Sequence, residues 1–176
     1  MRAHCLDIAE NLKIKVIADE IYRAQSRRVV DQLKRIKAKK NVQAVLNIGF
    51  GSSPAYVTQN FRKLGFTIPL YQTQGVATQD FLDFAGEAAE GVRLPVPPII
   101  IVDKLPANDP IKSILQTYIR LYKKRWEVEP NVYGTHAFDA LRLYASAVRR
   151  ARSFDPEKIR QALESTNGFV GANGVI

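Results

Sequence analysis

The sequence predicts an α/β protein: a parallel, doubly wound sheet with flanking helices, followed by an all-helical portion. Three observations carry that reading. Strand-like and helix-like periodicities alternate through residues 1–97. Residues 43–48 form a near-continuous apolar run, as a strand covered on both faces requires. Beyond Val102 the periodicity is helical only. The chain has 176 residues, 46% apolar and 24% charged, which fits one folded domain or one domain with a substantial extension.

Each element has its own signal. Residues 2–12 read as the end of a helix, with Leu6, Ile8, Ala9 and Leu12 as apolar positions, and residues 13–18 as a strand. Residues 26–39 form an amphipathic helix with the stripe Val29, Val30, Leu33 and Ile36. After the strand at 43–48 comes a loop with Gly49, Gly51, Ser52 and Ser53, and Pro54 suits a first helical turn. That helix turns Tyr56, Val57, Phe61 and Leu64 inward and stops at Gly65. Residues 67–72 are the next strand. A helix then runs from Thr78 or Gln79 to Glu90, with Phe81, Leu82, Phe84, Ala85 and Ala88 on its apolar side. Residues 92–96 are a short strand leading to a crossing at Pro97 and Pro98.

Alternating strands and helices imply parallel pairing with right-handed crossovers. Ligands in such sheets sit beyond the carboxyl ends of the strands. The loops 19–23, 49–53 and 73–78 are therefore the predicted binding edge. In the second half, Asp109 and Pro110 read as N-cap and first helical residue. Ile111, Ile114, Leu115, Tyr118, Ile119 and Tyr122 make a stripe at helical spacing. Tyr133, Ala137, Ala140, Leu141, Tyr144 and Val148 make a second, and Asp155 and Pro156 start a third with Ile159, Ala162 and Leu163 inward. Residues 171–174 read as a flexible tail.

The net charge of +9 divides into +5 on residues 1–97 and +4 on 98–176, so it is spread. Its densest run, from Arg27 to Lys40, reads as the solvated face of the 26–39 helix. No aromatic residues interleave there to stack bases, so no nucleic-acid partner is expected. No apolar run approaches the roughly 20 residues of a membrane-spanning helix. The first ten residues lack the apolar core of a signal peptide. Cys5 is the only cysteine, which excludes an intrachain disulfide.

No catalytic constellation emerges. His4, His136 and Cys5 have no zinc-ligand spacing, so no metal is expected. His136 reads as a histidine bonded at a helix start. Asp19 and Glu20, adjacent on a strand end, point to opposite faces and make a poor acid–base pair. The glycines around Phe50 lack the third glycine of a dinucleotide loop. The expectation is no enzyme activity and no cofactor.

Several segments in one unbroken order resemble a known family: GFTIPLYQTQGV at 65–76, AGEAAEGV at 85–92, DKLPANDP at 103–110, HAFDAL at 136–141, DPEKIRQAL at 155–163 and GFVGANGV at 168–175. All are similar to the substrate-binding proteins of branched-chain (hydrophobic) amino acid ABC transporters, of the type I periplasmic-binding-protein fold. The resemblance implies capture of a small-molecule ligand between two lobes, hinge closure and delivery to the ABC-transporter membrane permease. It implies a periplasmic, or extracellular membrane-attached, location for the full-length parent. A ligand-sensing domain of a receptor or regulator with the same fold is the alternative.

The same resemblance implies a C-terminal fragment, since family members are roughly twice this length. Residues 1–97 then look like the second lobe lacking its first strand. Residues 98–176 look like a hinge crossing and the late helices of the first lobe, whose N-terminal sheet would be absent. Self-association through the exposed helices is expected to follow. Residue by residue, the resemblance implies ligand contacts at Phe50, with Gly51 and Ser52 beside it, at Gln74 and Gly75, and at Tyr133. Gln74 stands where branched-chain binders carry a glutamate that pairs the ligand ammonium. A neutral amide accepts a bond but does not offset that charge, so an amino acid, a carboxylate, an aromatic acid and an amide all stay open.

Overall fold

The computed structural model describes residues 2–176. They form two compact units, Met1–Pro95 and Val96–Ile176. The first contains α1 (Arg2–Asn11), α2 (Val30–Lys37), β1 (Val45–Asn47), α3 (Ser53–Lys63), β2 (Leu70–Gln72) and α4 (Gln79–Ala85). β1 and β2 pair in parallel, with Val45 opposite Leu70 and Asn47 opposite Gln72. This is a helix-rich α/β architecture with a small parallel sheet.

Alternation along the strands decides the core. Val45 and Leu70 turn inward and pack with Val29 just before α2, with Leu33 of α2 and with Val57 and Phe61 of α3. Leu46 and Tyr71 turn the other way, and Leu46 is 58% exposed. The end of α3 is fixed by Gly65, whose φ of +68° suits the left-handed residue that closes a helix. Gly65 N donates to Arg62 O and Phe66 N to Phe61 O, which brings the Phe61 and Phe66 rings into a stack 4.3 Å apart.

Several predicted elements take another form. Residues 13–18 are not a strand. Lys13 adopts φ +57° and closes α1, with Ile14 N donating to Ala9 O, and no ladder partner lies alongside. The second helix starts at Val30 rather than at 26, because Gln25 is left-handed and the Ser26 hydroxyl accepts from Arg28 N, a local turn that competes with the helix. The strand at 92–96 shrinks to one parallel bridge between Tyr71 and Arg93. Residues Pro98–Lys104 form an irregular 3-10 segment rather than an extended crossing; Pro98 and the preceding Pro97 remove ladder donors.

The second unit contains α5 (Pro110–Trp126), α6 (Val132–Ala151) and α7 (Pro156–Glu164). Each starts on an acceptor side chain: Asp109 takes Ile111 N, Asn131 takes Tyr133 N and Gly134 N, and Asp155 takes Lys158 N. α6 and α7 pack through Ala147, Ile159 and Ala162. His136 lies exposed on α6. Residues 169–176 are not a loose tail. Phe169 and Ile176 exchange both backbone hydrogen bonds, Gly171 N donates to Gly174 O, and the Asp139 carboxylate on α6 accepts from Ala172 N (2.7 Å) and Asn173 N (2.9 Å).

Candidate ligand site at the carboxyl edge of the sheet

Parallel pairing makes the segments after β1 and β2 leave the same edge of the sheet. Phe50, Gly51 and Ser52 follow β1; Gln74 and Gly75 follow β2. The two loops are tied by Thr73 Oγ1, which donates to Gly49 O at 3.2 Å. Phe50 is 56% exposed, and its ring lies over the buried Gly75: a Cβ there would stand 2.4 Å from Phe50 Cδ1. Gly51 turns the chain with φ +70°.

Ser52 occupies the N-cap position of α3 but makes no capping bond through its side chain. Ser53 follows, buried, its hydroxyl without a protein hydrogen-bond partner. The start of α3, the positive end of its dipole, thus points at this edge with an uncapped first turn. Gln74 is exposed and opens the 3-10 turn Gln74–Val76. Two surface concavities of this unit, one around Gly65 to Ile68 and one between Pro69 and Glu90, lie by the amino end of β2 and not at this edge.

Beneath the edge runs a chain of buried polar side chains that periodicity does not reveal. Tyr22 Oη donates to Asn47 Oδ1 (2.8 Å), Asn47 Nδ2 to Gln72 Oε1 (2.7 Å), Gln72 Nε2 to Thr58 Oγ1 (3.0 Å), and Thr58 Oγ1 to Pro54 O (2.8 Å). Asn47 and Gln72 face each other across the strand pair, and a polar residue at the same register position of both strands was the available signal. The Tyr22 oxygen also abuts Gly49, where a Cβ would stand 2.3 Å from it. Desolvation raises the Tyr22 pKa above its ordinary value, against the opposing effect of the bond to Asn47.

Tyr133 lies in the second unit, in the first turn of α6, and is 52% exposed. Next to it, Gly134 leaves room for the Tyr118 hydroxyl, which would meet a Cβ at 2.1 Å. Among the described residues no cluster of His, Cys, Asp and Glu could hold a metal ion. No helix among them is long and apolar enough to cross a membrane.

Solved structures share this architecture. A Rhodopseudomonas palustris protein (strain CGA009) matches 97% of the chain at 25% identity with a TM-score of 0.86. An extracellular ligand-binding receptor from R. palustris HaA2 matches 98% at 24% identity and 0.87. A Rhodospirillum rubrum protein, provisionally named a branched-chain amino acid ABC transporter, matches 98% at 25% identity and 0.73. The chain spans about half of each: 50%, 50% and 48% of their lengths. The fold is that of type I periplasmic binding proteins, which are ligand-binding proteins and not enzymes. The periplasmic binding protein model matches residues 1–176, and the chain belongs to that family.

Proposed function

We propose that this protein is the extracytoplasmic solute-binding component of an ABC transporter, taking up a small ligand for delivery to a membrane permease. The ligand class is a branched-chain amino acid or a related carboxylate or amide. The observation that carries this reading is the juxtaposition of Phe50 with Gly75 at the shared carboxyl edge of β1 and β2. An exposed aromatic ring held beside a buried glycine offers an apolar wall with close backbone approach, as small-molecule sites use. Ser52, Gly51 and Gln74 supply neutral hydrogen-bonding groups around it. Family membership and the name of the R. rubrum neighbour support the transport context. Tyr133 enters the proposal as a separate aromatic contact carried by the second unit. Residues 1–97 belong to the proposal as the second lobe without its first strand, and residues 98–176 as the hinge crossing and late helices of the first.

The test is an amide-resonance titration with leucine, isoleucine and aromatic carboxylates at millimolar concentration. The reading requires shifts confined to residues 49–52 and 73–75, reduced by Phe50→Ala. No perturbation there by any of these ligands overturns it. Cellular uptake of the bound ligand, lost on deleting either this gene or that of the permease, tests the transport step.

A further inference from the structure

The polar chain under the site has a direction, and that direction reaches the ligand edge. It starts at a carbonyl. Pro54 O can only accept, so the Thr58 hydroxyl donates to it. The end of the Gln72 amide that meets Thr58 Oγ1 at 3.0 Å also lies 3.4 Å from Pro54 O. An oxygen at that end would face an acceptor, so the amide nitrogen sits there and the Gln72 carbonyl points at Asn47. The Asn47 amide nitrogen therefore meets it, and the Asn47 carbonyl is left to face Tyr22. Each step fixes the next, and the Tyr22 hydroxyl is forced to spend its only proton on Asn47.

What remains at Tyr22 is an oxygen with lone pairs and no proton to give. That oxygen lies against Gly49, one residue before Phe50, in the loop that follows β1. Tyr22 is half-buried, and its oxygen reaches the edge through its contact with Gly49. From this we infer that Tyr22 is a ligand-contacting, specificity-determining residue that accepts a hydrogen bond, and that the site selects a ligand presenting an N–H or O–H donor to it. Asn47 and Gln72 are positioning residues that hold the hydroxyl in that polarity. The inference rests on the ligand site proposed above. A bare carboxylate brought to Tyr22 would meet lone pairs with lone pairs, and rejection of such a mismatch is how a buried polar group discriminates. Gln74 lacks the charge to hold an ammonium alone, so Tyr22 adds a further acceptor at the edge.

The experiment compares three probes that share the isobutyl side chain by amide-resonance titration of the whole 176-residue protein. Leucine carries an ammonium and a carboxylate, 3-methylbutylamine only the ammonium, and 4-methylpentanoate only the carboxylate. Tyr22→Phe removes the oxygen and keeps the ring. It should weaken leucine and 3-methylbutylamine by about three- to tenfold, one hydrogen bond's worth, and leave 4-methylpentanoate unchanged. Asn47→Leu frees the hydroxyl proton and should improve 4-methylpentanoate relative to 3-methylbutylamine. Equal losses for all three probes in Tyr22→Phe, or an unchanged probe ranking, overturn the inference while the site stands. If no probe shifts residues 49–52 or 73–75 in the wild-type protein, the ligand-binding reading fails and the inference falls with it.

Discussion

The Phe50 ring occupies the space that a side chain at Gly75 would need, with Cδ1 and Cε1 2.4 and 2.5 Å from the position of a Cβ there. The backbone at Gly75 is not left-handed, so alanine is conformationally allowed and its whole effect falls on the ring. Gly75→Ala should swing Phe50 outward into solvent. Because the ring is already half-exposed, the loss of stability should be about 1 kcal/mol, at the low end of overpacking costs. Aromatic resonances of Phe50 and urea unfolding check both parts. An unmoved ring would mean that the two loops part instead.

Thr58 is the hinge of the buried polar chain, donating to Pro54 O and accepting from Gln72 Nε2. Thr58→Val keeps the shape and removes the oxygen. Gln72 Nε2 is then left with only the long 3.4 Å approach to Pro54 O. A buried donor without a partner costs about 1–3 kcal/mol. Thr58→Ser keeps the hydroxyl and should recover most of that. Equal unfolding midpoints for the valine variant and the wild-type protein would show that the chain does not support the fold.

The strongest local signals were legible without a structure. Asp109 with Pro110 and Asp155 with Pro156 mark helix starts because a side-chain acceptor and a residue lacking N–H both suit an uncapped first turn. Gly65 marks the end of α3 for the matching reason at the other terminus. The carboxyl edge followed from the order of strands and helices, and with it the shared position of Phe50 and Gln74. Residues 13–18 misled because alternation of Lys13, Ile14, Lys15 and Val16 reports strand propensity, whereas a strand also needs a neighbour to pair with. The Tyr22–Asn47–Gln72–Thr58 chain was invisible because its members lie up to 50 positions apart in sequence and meet only once β1 and β2 are in register. The clasp on residues 171–174 was missed because glycine content signals freedom, while Asp139 supplies the acceptors from more than 30 residues away.

Acid should loosen the loop that carries Tyr22. Arg35 donates to both oxygens of Glu20, from Nε at 2.9 and 3.0 Å and from a terminal nitrogen at 2.7 Å. The side-chain hydrogen bond from Arg35 holds the Glu20 carboxyl below its ordinary value of 4.5. A carboxyl more acidic in the folded state contributes stability above its unfolded pKa, and that contribution disappears as pH falls through the folded value. The difference in stability between wild type and Glu20→Gln should therefore be present at neutral pH and vanish in acid. It should also shrink in high salt, since the pair is at the surface. A pH-independent difference would assign the effect of the substitution to something other than this ion pair.

α6 presents an apolar stripe to solvent. Leu141 is 72% exposed, and Tyr144 beside it is about half exposed. Covering a side chain of this kind contributes about 1.5–3 kcal/mol, so association through this face is the expected outcome. Light scattering should show species larger than a monomer, and Leu141→Lys should shift them toward the monomer. A monodisperse monomer that binds no apolar dye would contradict this.

The last prediction concerns the clasp between α6 and the terminal hairpin. The Asp139 carboxylate accepts from Ala172 N, Asn173 N and Asn173 Nδ2 at 2.7, 2.9 and 2.9 Å. Arg142, one turn along, donates to Val170 O at 3.2 Å and lies over the Phe138 and Phe169 rings. A Cβ at 171 would stand 2.7 Å from Asp139 Oδ2, so a side chain there would displace the carboxylate. Ala172 is fully buried, so its N–H has no water to fall back on. Asp139→Ala strands these donors and should cost about 1–3 kcal/mol. The loss should be local. Hydrogen exchange at Gly171, Ala172 and Asn173 should become fast, while the α6–α7 packing around Ala147 and Ile159 keeps its protection, as expected when one cooperative segment opens before the rest. Asp139→Asn retains one acceptor oxygen and should fall between. Exchange that speeds up equally along α6 and α7 would mean instead that the hairpin and the helices unfold as one body.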